Sequence, residues 1–138
     1  MGSEIYGFIQ YKGVNGEYIM LPLFNQRNEH VSIWGGSTWV EALHDRGSKL
    51  PAREKKDIEA ELTVNEMGID EDYYEDEDFI DWHSISLPYI KLLAYKTKDK
   101  TEKNIFTSLM QTIEAAVKLA DKDFISIDEV RYVYYESY

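Results

Sequence analysis

Cysteine is absent from the 138 residues, which removes disulfide scaffolds, thiol nucleophiles and thiolate zinc sites together. Proline is scarce, at three residues, and no proline-rich or collagen-like segment interrupts the chain. No apolar run approaches the ~18–20 residues that a membrane span needs, and the opening residues lack a basic stretch followed by an apolar one. Positive charge is the minority sign: 15 Lys and Arg stand against 26 Asp and Glu, a formal net charge of −11. So negative a surface repels phosphate backbones and disfavours direct nucleic-acid binding. These absences lead to the expectation of an acidic, soluble domain in the cytoplasm, without membrane or nucleic acid among its partners.

Hydrophobic residues make up 43% of the chain and aromatics 14%. That is too rich for disorder and enough for one real core at this length. The charges are segregated. Lys49, Arg53, Lys55 and Lys56 form one basic cluster, and Lys91, Lys96, Lys98, Lys100 and Lys103 a second. Asp70, Glu71, Asp72, Glu75, Asp76, Glu77, Asp78 and Asp81 place eight carboxylates in twelve positions. The molecule reads as a nearly balanced domain carrying one intensely acidic segment at 70–81, with no internal repeat and no linker.

Two β-prone runs, 4–12 and 17–24, flank Gly13-Val14-Asn15-Gly16, whose Asn-Gly suits a tight hairpin. Pro22 cannot donate to a ladder and marks an edge or a strand end. A short strand is expected at 31–34, ending at Gly35-Gly36. Thr38 and Glu41 have capping-box spacing, and Gly47 is a plausible stop, predicting a helix near 38–46. A thinly amphipathic helix is expected over 51–67, with Ile58 and Leu62 inward. Ser86-Leu87-Pro88 reads as an N-cap with proline in the first turn of a helix running to about Lys96. From Thr101 to Ala120, Ile105, Phe106, Leu109, Met110, Ile113, Ala116, Val117 and Ala120 keep the spacing of one buried helical face. The tyrosine-rich run 129–138 is β-prone and is expected to join the hairpin's sheet. The predicted architecture is a single α+β domain over 1–138. Its antiparallel sheet combines the N-terminal hairpin and the C-terminal strand, with the 31–34 strand as a further candidate, packed by the 101–120 helix.

Chemistry-bearing motifs are few. Gly35-Gly36 lacks the spacing of a phosphate-binding loop. Asp70-Glu71-Asp72 opens like a calcium loop, but Tyr74 and Glu75 stand where an oxygen ligand and glycine are needed. No metal or cofactor is therefore expected. Carboxylates spaced along a face can imitate a phosphate ladder and occupy a basic groove on another protein. Tyr73, Tyr74, Phe79 and Trp82, interleaved with that charge, resemble the aromatic anchors of a binding surface, and would equally pin the segment to its own core. Asp81-Trp82-His83-Ser84 has catalytic ingredients, but adjacency in sequence does not place a nucleophile within reach of its base. A structural role for His83 and Ser84 and an enzyme centred on His83 both remain open. Convergence of His30, His44 and His83 on zinc is a further possibility.

The opening Met1-Gly2-Ser3-Glu4-Ile5-Tyr6, with the strand Gly7 to Lys12 behind it, resembles a group of small phage-encoded proteins that open with Met-Gly-Cys-Asp-Ile-His. Arg27-Asn28 ahead of Ile33-Trp34-Gly35, Leu50-Pro51 before a polar helix, and His83-Ser84-Ile85-Ser86 before a Leu-rich helix are similar to motifs of that group. Val130-Arg131 followed by alternating aromatics and Glu136 looks like its closing strand. Ser3 and Tyr6 replace the group's Cys and His, the two residues best able to bind metal or do covalent chemistry. The resemblance implies a phage accessory protein, and such proteins are frequently inhibitors of host defence.

The leading expectation is a non-enzymatic, anti-CRISPR-like inhibitor, monomeric or homodimeric. It would bind a host defence protein with a basic groove through Asp70, Glu71, Asp72, Tyr73, Tyr74, Glu75, Asp76, Glu77, Asp78, Asp81 and Trp82. The alternatives are a small-molecule binder that sequesters a nucleotide defence signal, and the enzyme at His83. Phosphate capture requires basic residues converging on a pocket, whereas mimicry requires an exposed acidic face.

Overall fold

The C-terminal strand, not the N-terminal hairpin, holds the centre of the sheet. The computed structural model describes residues 3–22, 31–61, 81–120 and 126–137. Within these, the chain runs β1 (Glu4–Lys12), β2 (Tyr18–Met20), β3 (Ser32–Gly35), α1 (Ser37–Leu43), β4 (Ser48–Lys49) and α2 (Ala52–Glu61). It continues through β5 (His83–Ser86), α3 (Leu87–Lys96), α4 (Lys100–Leu119), a 3-10 turn (Ile127–Glu129) and β6 (Val130–Ser137). The six described strands form one antiparallel sheet in the order β2-β1-β6-β5-β4, with β3 pairing the first half of β1 beside β2. β6 pairs β1 along its whole length, from Ser137 opposite Glu4 to Val130 opposite Tyr11. The chain is a single α+β domain, with the long helix of its C-terminal half packed on the sheet.

Strand alternation sends successive residues of each strand to opposite faces. One face carries Ile5, Ile9, Tyr11, Val130, Tyr132, Tyr134, Ile33 and Ile85, and meets the buried stripe of α4 (Ile105, Phe106, Leu109, Ile113) together with α1 and α3. Tyr132 donates its hydroxyl to Ile33 O at 2.7 Å, and Tyr134 donates to Leu43 O at 3.2 Å. Gly7 is needed here for space rather than for conformation, because a Cβ at that position would overlap the Tyr132 ring. The other face buries Phe8, Met20, Val133 and Tyr135 under Leu50, Ile58 of α2, and Trp82.

Helix α3 starts as expected, with Ser86 Oγ accepting from Tyr89 N at 3.3 Å and Pro88 in the first turn. Helix α4 is capped by Asp99, whose carboxylate accepts from Glu102 N at 2.9 Å. Helix α1 differs from expectation at both ends. Gly36 is the N-cap with no side-chain cap bond, so Thr38 and Glu41 form no capping box, and the helix begins at Ser37. It stops at Leu43, before a turn in which Asp45 takes a positive φ of 64°, so Gly47 is not the stop. A Cβ at Gly47 would instead collide with the Tyr134 hydroxyl. The expected second strand ends at Met20, short of Pro22. The tail of the 17–24 run, the 62–67 part of the expected helix, and Tyr138 lie outside the described residues.

Candidate ligand-binding cleft

Of the acidic segment, Asp70, Glu71, Asp72, Tyr73, Tyr74, Glu75, Asp76, Glu77 and Asp78 lie outside the described residues, as do Phe79 and His30. Asp81 is exposed just before β5, its carboxylate 3.5 Å from Lys49 Nζ. Trp82 is only 1% exposed. Its ring meets Tyr135 edge-on at 4.9 Å between centroids and tilts against Phe8 at 6.2 Å, so it packs the core and presents no anchor to a partner. Its carbonyl accepts from Leu50 N at 2.9 Å, tying the start of α2 to the sheet.

His83 and Ser84 are successive residues of β5 and so face opposite sides of the sheet. His83 sits opposite Tyr134 in the ladder and stacks on its ring at 5.8 Å, with Nδ1 3.2 Å from Asp81 O. Ser84 lies opposite Val133 and Ser48, on the other face. Strand alternation therefore keeps the imidazole and this hydroxyl apart. His44 is exposed, 3.5 Å from Glu136 and 3.6 Å from Asp45. Among the described residues no three His, Asp or Glu side chains are gathered as a metal ion would require.

The chemistry gathers instead around Arg131, a cation near the start of the central strand and 8% exposed. Its Nε donates to Gln10 Oε1 at 2.9 Å, and Nη2 donates to Glu54 Oε1 at 3.1 Å. Its guanidinium carbon lies 3.6 Å from the centroid of the Tyr18 ring. Burial lowers the Arg131 pKa by disfavouring the charged form, and the Glu54 carboxylate and Tyr18 partly oppose that shift. A buried charge is costly unless paired and hydrogen-bonded. These three partners keep it tolerable in a strand that otherwise buries aromatics.

Arg131 and Tyr18 stand between two hollows and line both. The larger, about 710 Å³, opens between the hairpin end (Lys12, Glu17, Tyr18) and the start of α2 (Pro51, Arg53, Ile58), with Gln10 and Arg131 at its base. The smaller, about 310 Å³, is bounded by Arg46, Ser48, Ser84, Ser86 and Tyr89. The larger falls within the ~300–1,000 Å³ typical of small-molecule sites, and the smaller at its lower limit. In the larger hollow Arg131 pairs with Glu54 at 3.1 Å and Arg53 with Glu17 at 3.7 Å, and Lys12 is a third, exposed cation at its rim. Among the described residues no carboxylate lines the smaller one.

The cleft was missed at the sequence level. Its one local signal is Arg131, a charge within an aromatic β-strand. The rest of its wall comes from residues scattered between Gln10 and Tyr89. No protein-family model, curated protein or solved structure matches the chain.

Proposed function

We propose that this domain is a non-catalytic binder that captures a small phosphate-bearing molecule of the nucleotide class in the two-lobed cleft. The observation that supports the reading is the pairing of two hollows across Tyr18 and Arg131, the larger of mixed polar, apolar and charged lining with two carboxylates, the smaller lined by Arg46, Arg131 and three serines. A phosphorylated ligand with a planar group has the same division. The arrangement also meets the criterion that phosphate capture sets, basic residues converging on a pocket. Sequestration of a nucleotide signal is the role this binding serves in the phage context that the resemblance implies.

The test is equilibrium titration of the full chain with the four ribonucleoside 5′-monophosphates and their triphosphates, followed by recovery of the ligand. Saturable binding of at least one, weakened by Tyr18→Ala, with the ligand recovered intact, is the expected outcome. Binding of none sinks the reading, and conversion of the ligand makes the domain an enzyme.

A second reading, inhibition of a host defence protein through the acidic segment, rests on the charge density at 70–81. Of those carboxylates only Asp81 is among the described residues.

A further inference from the structure

We propose that Arg46 is the residue that reads the ligand's anion: the smaller hollow takes the phosphate of a phosphate monoester, and the larger takes its uncharged, planar part. This rests on the cleft reading above and assigns an orientation and a specificity residue to it.

The argument is one of charge balance. A cation already held by a carboxylate has its charge largely offset, so it adds little net attraction for an incoming anion even where some of its N–H groups remain free to donate. Arg131 is in that position with Glu54, and Arg53 lies 3.7 Å from Glu17; Lys12, the third cation of the larger hollow, is exposed and shares it with both carboxylates. Arg46 is different. It is half-buried, follows Asp45 in the left-handed turn after α1, and makes no ion pair among the described residues. Its backbone N–H donates to Leu43 O at 3.0 Å, which fixes the root of the side chain beside the hollow.

The sheet supplies the remaining donors. Ser48 and Ser84 are cross-strand partners, Ser84 and Ser86 are two apart on β5, and Ser86 lies opposite Arg131. The register therefore places three hydroxyls and the Arg131 side chain on one face of the sheet. Ser48 and Ser84 make no side-chain hydrogen bond among the described residues. Ser86 Oγ accepts from Tyr89 N and keeps its own proton to donate. Arg131 uses Nε–H and one Nη2–H on Gln10 and Glu54, which leaves both Nη1 N–H groups and the second Nη2 N–H as donors among the described groups. A planar guanidinium, a second guanidinium edge and several hydroxyls match the acceptor oxygens of a phosphate monoester, and charge-assisted bonds of this kind are the strong ones.

The test uses the full chain, each ribonucleoside 5′-monophosphate with its parent nucleoside, and inorganic phosphate as competitor. Arg46→Met, Arg46→Lys and the double variant Ser48→Ala/Ser84→Ala are compared with the wild type. The expected result for Arg46→Met is a loss of about tenfold or more in monophosphate affinity. Nucleoside affinity and melting temperature should not change. Arg46→Lys should recover part of the loss, and the serine pair should lose several-fold. Inorganic phosphate should compete against the wild type and fail to compete against Arg46→Met. Equal monophosphate binding by wild type and Arg46→Met overturns the placement and leaves the cleft reading standing. Absence of binding by every monophosphate to the wild type overturns the placement, and absence of triphosphate binding as well overturns the cleft reading with it.

Discussion

The two faces of β6 are built for different purposes. On the helix-covered face, Val130, Tyr132 and Tyr134 are packed by apolar neighbours, and both phenols find backbone carbonyls. Gly7 and Gly47 exist there to make room for those two rings. On the opposite face, Arg131, Val133 and Tyr135 alternate charge with apolar surface. The Tyr135 hydroxyl and the Trp82 indole nitrogen are buried without a hydrogen-bond partner among the described residues. Stability favours the first arrangement. A guanidinium in a central strand contributes little to folding, since ion pairs of this kind are often matched by well-packed apolar residues. On the proposed reading, its place there is explained by the cleft it lines.

Truncation in the helix-covered face tests this contrast most severely. Leu109→Ala or Ile113→Ala, both fully buried on α4, should each lower stability by ~2–5 kcal/mol through lost burial and a residual cavity. The double replacement of Arg131 and Glu54 by methionine, which removes both charges, should cost far less. Chemical denaturation of the three variants decides it. If the Arg131/Glu54 double variant is damaged as heavily as Leu109→Ala, the cleft side is also structural and the division between the faces is wrong.

The tyrosines of β6 add a pH signature. Burial raises the pKa of Tyr132, Tyr134 and Tyr135 above the ordinary phenol value of 10.0, with neighbouring Tyr and Glu groups adding to the effect. In the unfolded chain these phenols lose protons from about pH 10 upward, whereas in the fold they hold them. The unfolded state then binds fewer protons, so stability that is fully present below pH 10 falls as pH rises toward the folded-state values. Three such groups give a slope of at most ~4 kcal/mol per pH unit. Denaturant midpoints measured from pH 8 to 11 should be flat and then drop. Replacing Tyr132 by Phe should make the drop shallower, and a flat profile to pH 11 would mean the three rings reach water.

Much of the fold, but little of the site, was legible in the residues. The strands 4–12 and 130–137 and the helices at 87–96 and 100–119 announce themselves through period, caps and turn chemistry, all local signals. β4 and β5 do not. They are two and four residues long, too short for a period, and their pairing is set by partners tens of residues away. That is why His83-Ser84 reads as possible chemistry although it forms a strand. The α1 capping box failed because Gly35 fits beneath the Trp39 ring and Gly36 takes the cap, a tertiary fit that overrides the local pattern. The cleft is assembled by register alone. Gln10 and Arg131 are cross-strand partners 121 residues apart, and no short motif encodes that meeting.

The smallest expected effect on the fold separates the two functional readings. Asp76→Asn/Glu77→Gln/Asp78→Asn removes three charges from the acidic segment. Stability should hold within ~0.5 kcal/mol or rise slightly as repulsion among the neighbouring carboxylates is relieved. His83→Ala, which removes a ring stacked on Tyr134, should cost ~0.5–1.5 kcal/mol and leave ligand affinity alone, because His83 lies on the face away from the cleft. A nucleotide binder should keep its affinity in the acidic triple variant, or gain slightly, since lowering a net charge of −11 eases the approach of an anion. A nucleic-acid mimic behaves the other way. Its capture of a host protein should weaken strongly in the triple variant and fall with ionic strength, because exposed charge pairs are screened beyond ~8–10 Å. Pull-downs from host lysate at low and high salt, run beside nucleotide titrations of the same preparations, read both. A salt-sensitive partner lost in the triple variant, with no nucleotide bound by the wild type, makes the acidic segment the working surface. Nucleotide affinity unchanged in the triple variant and abolished in Tyr18→Ala assigns the work to the cleft.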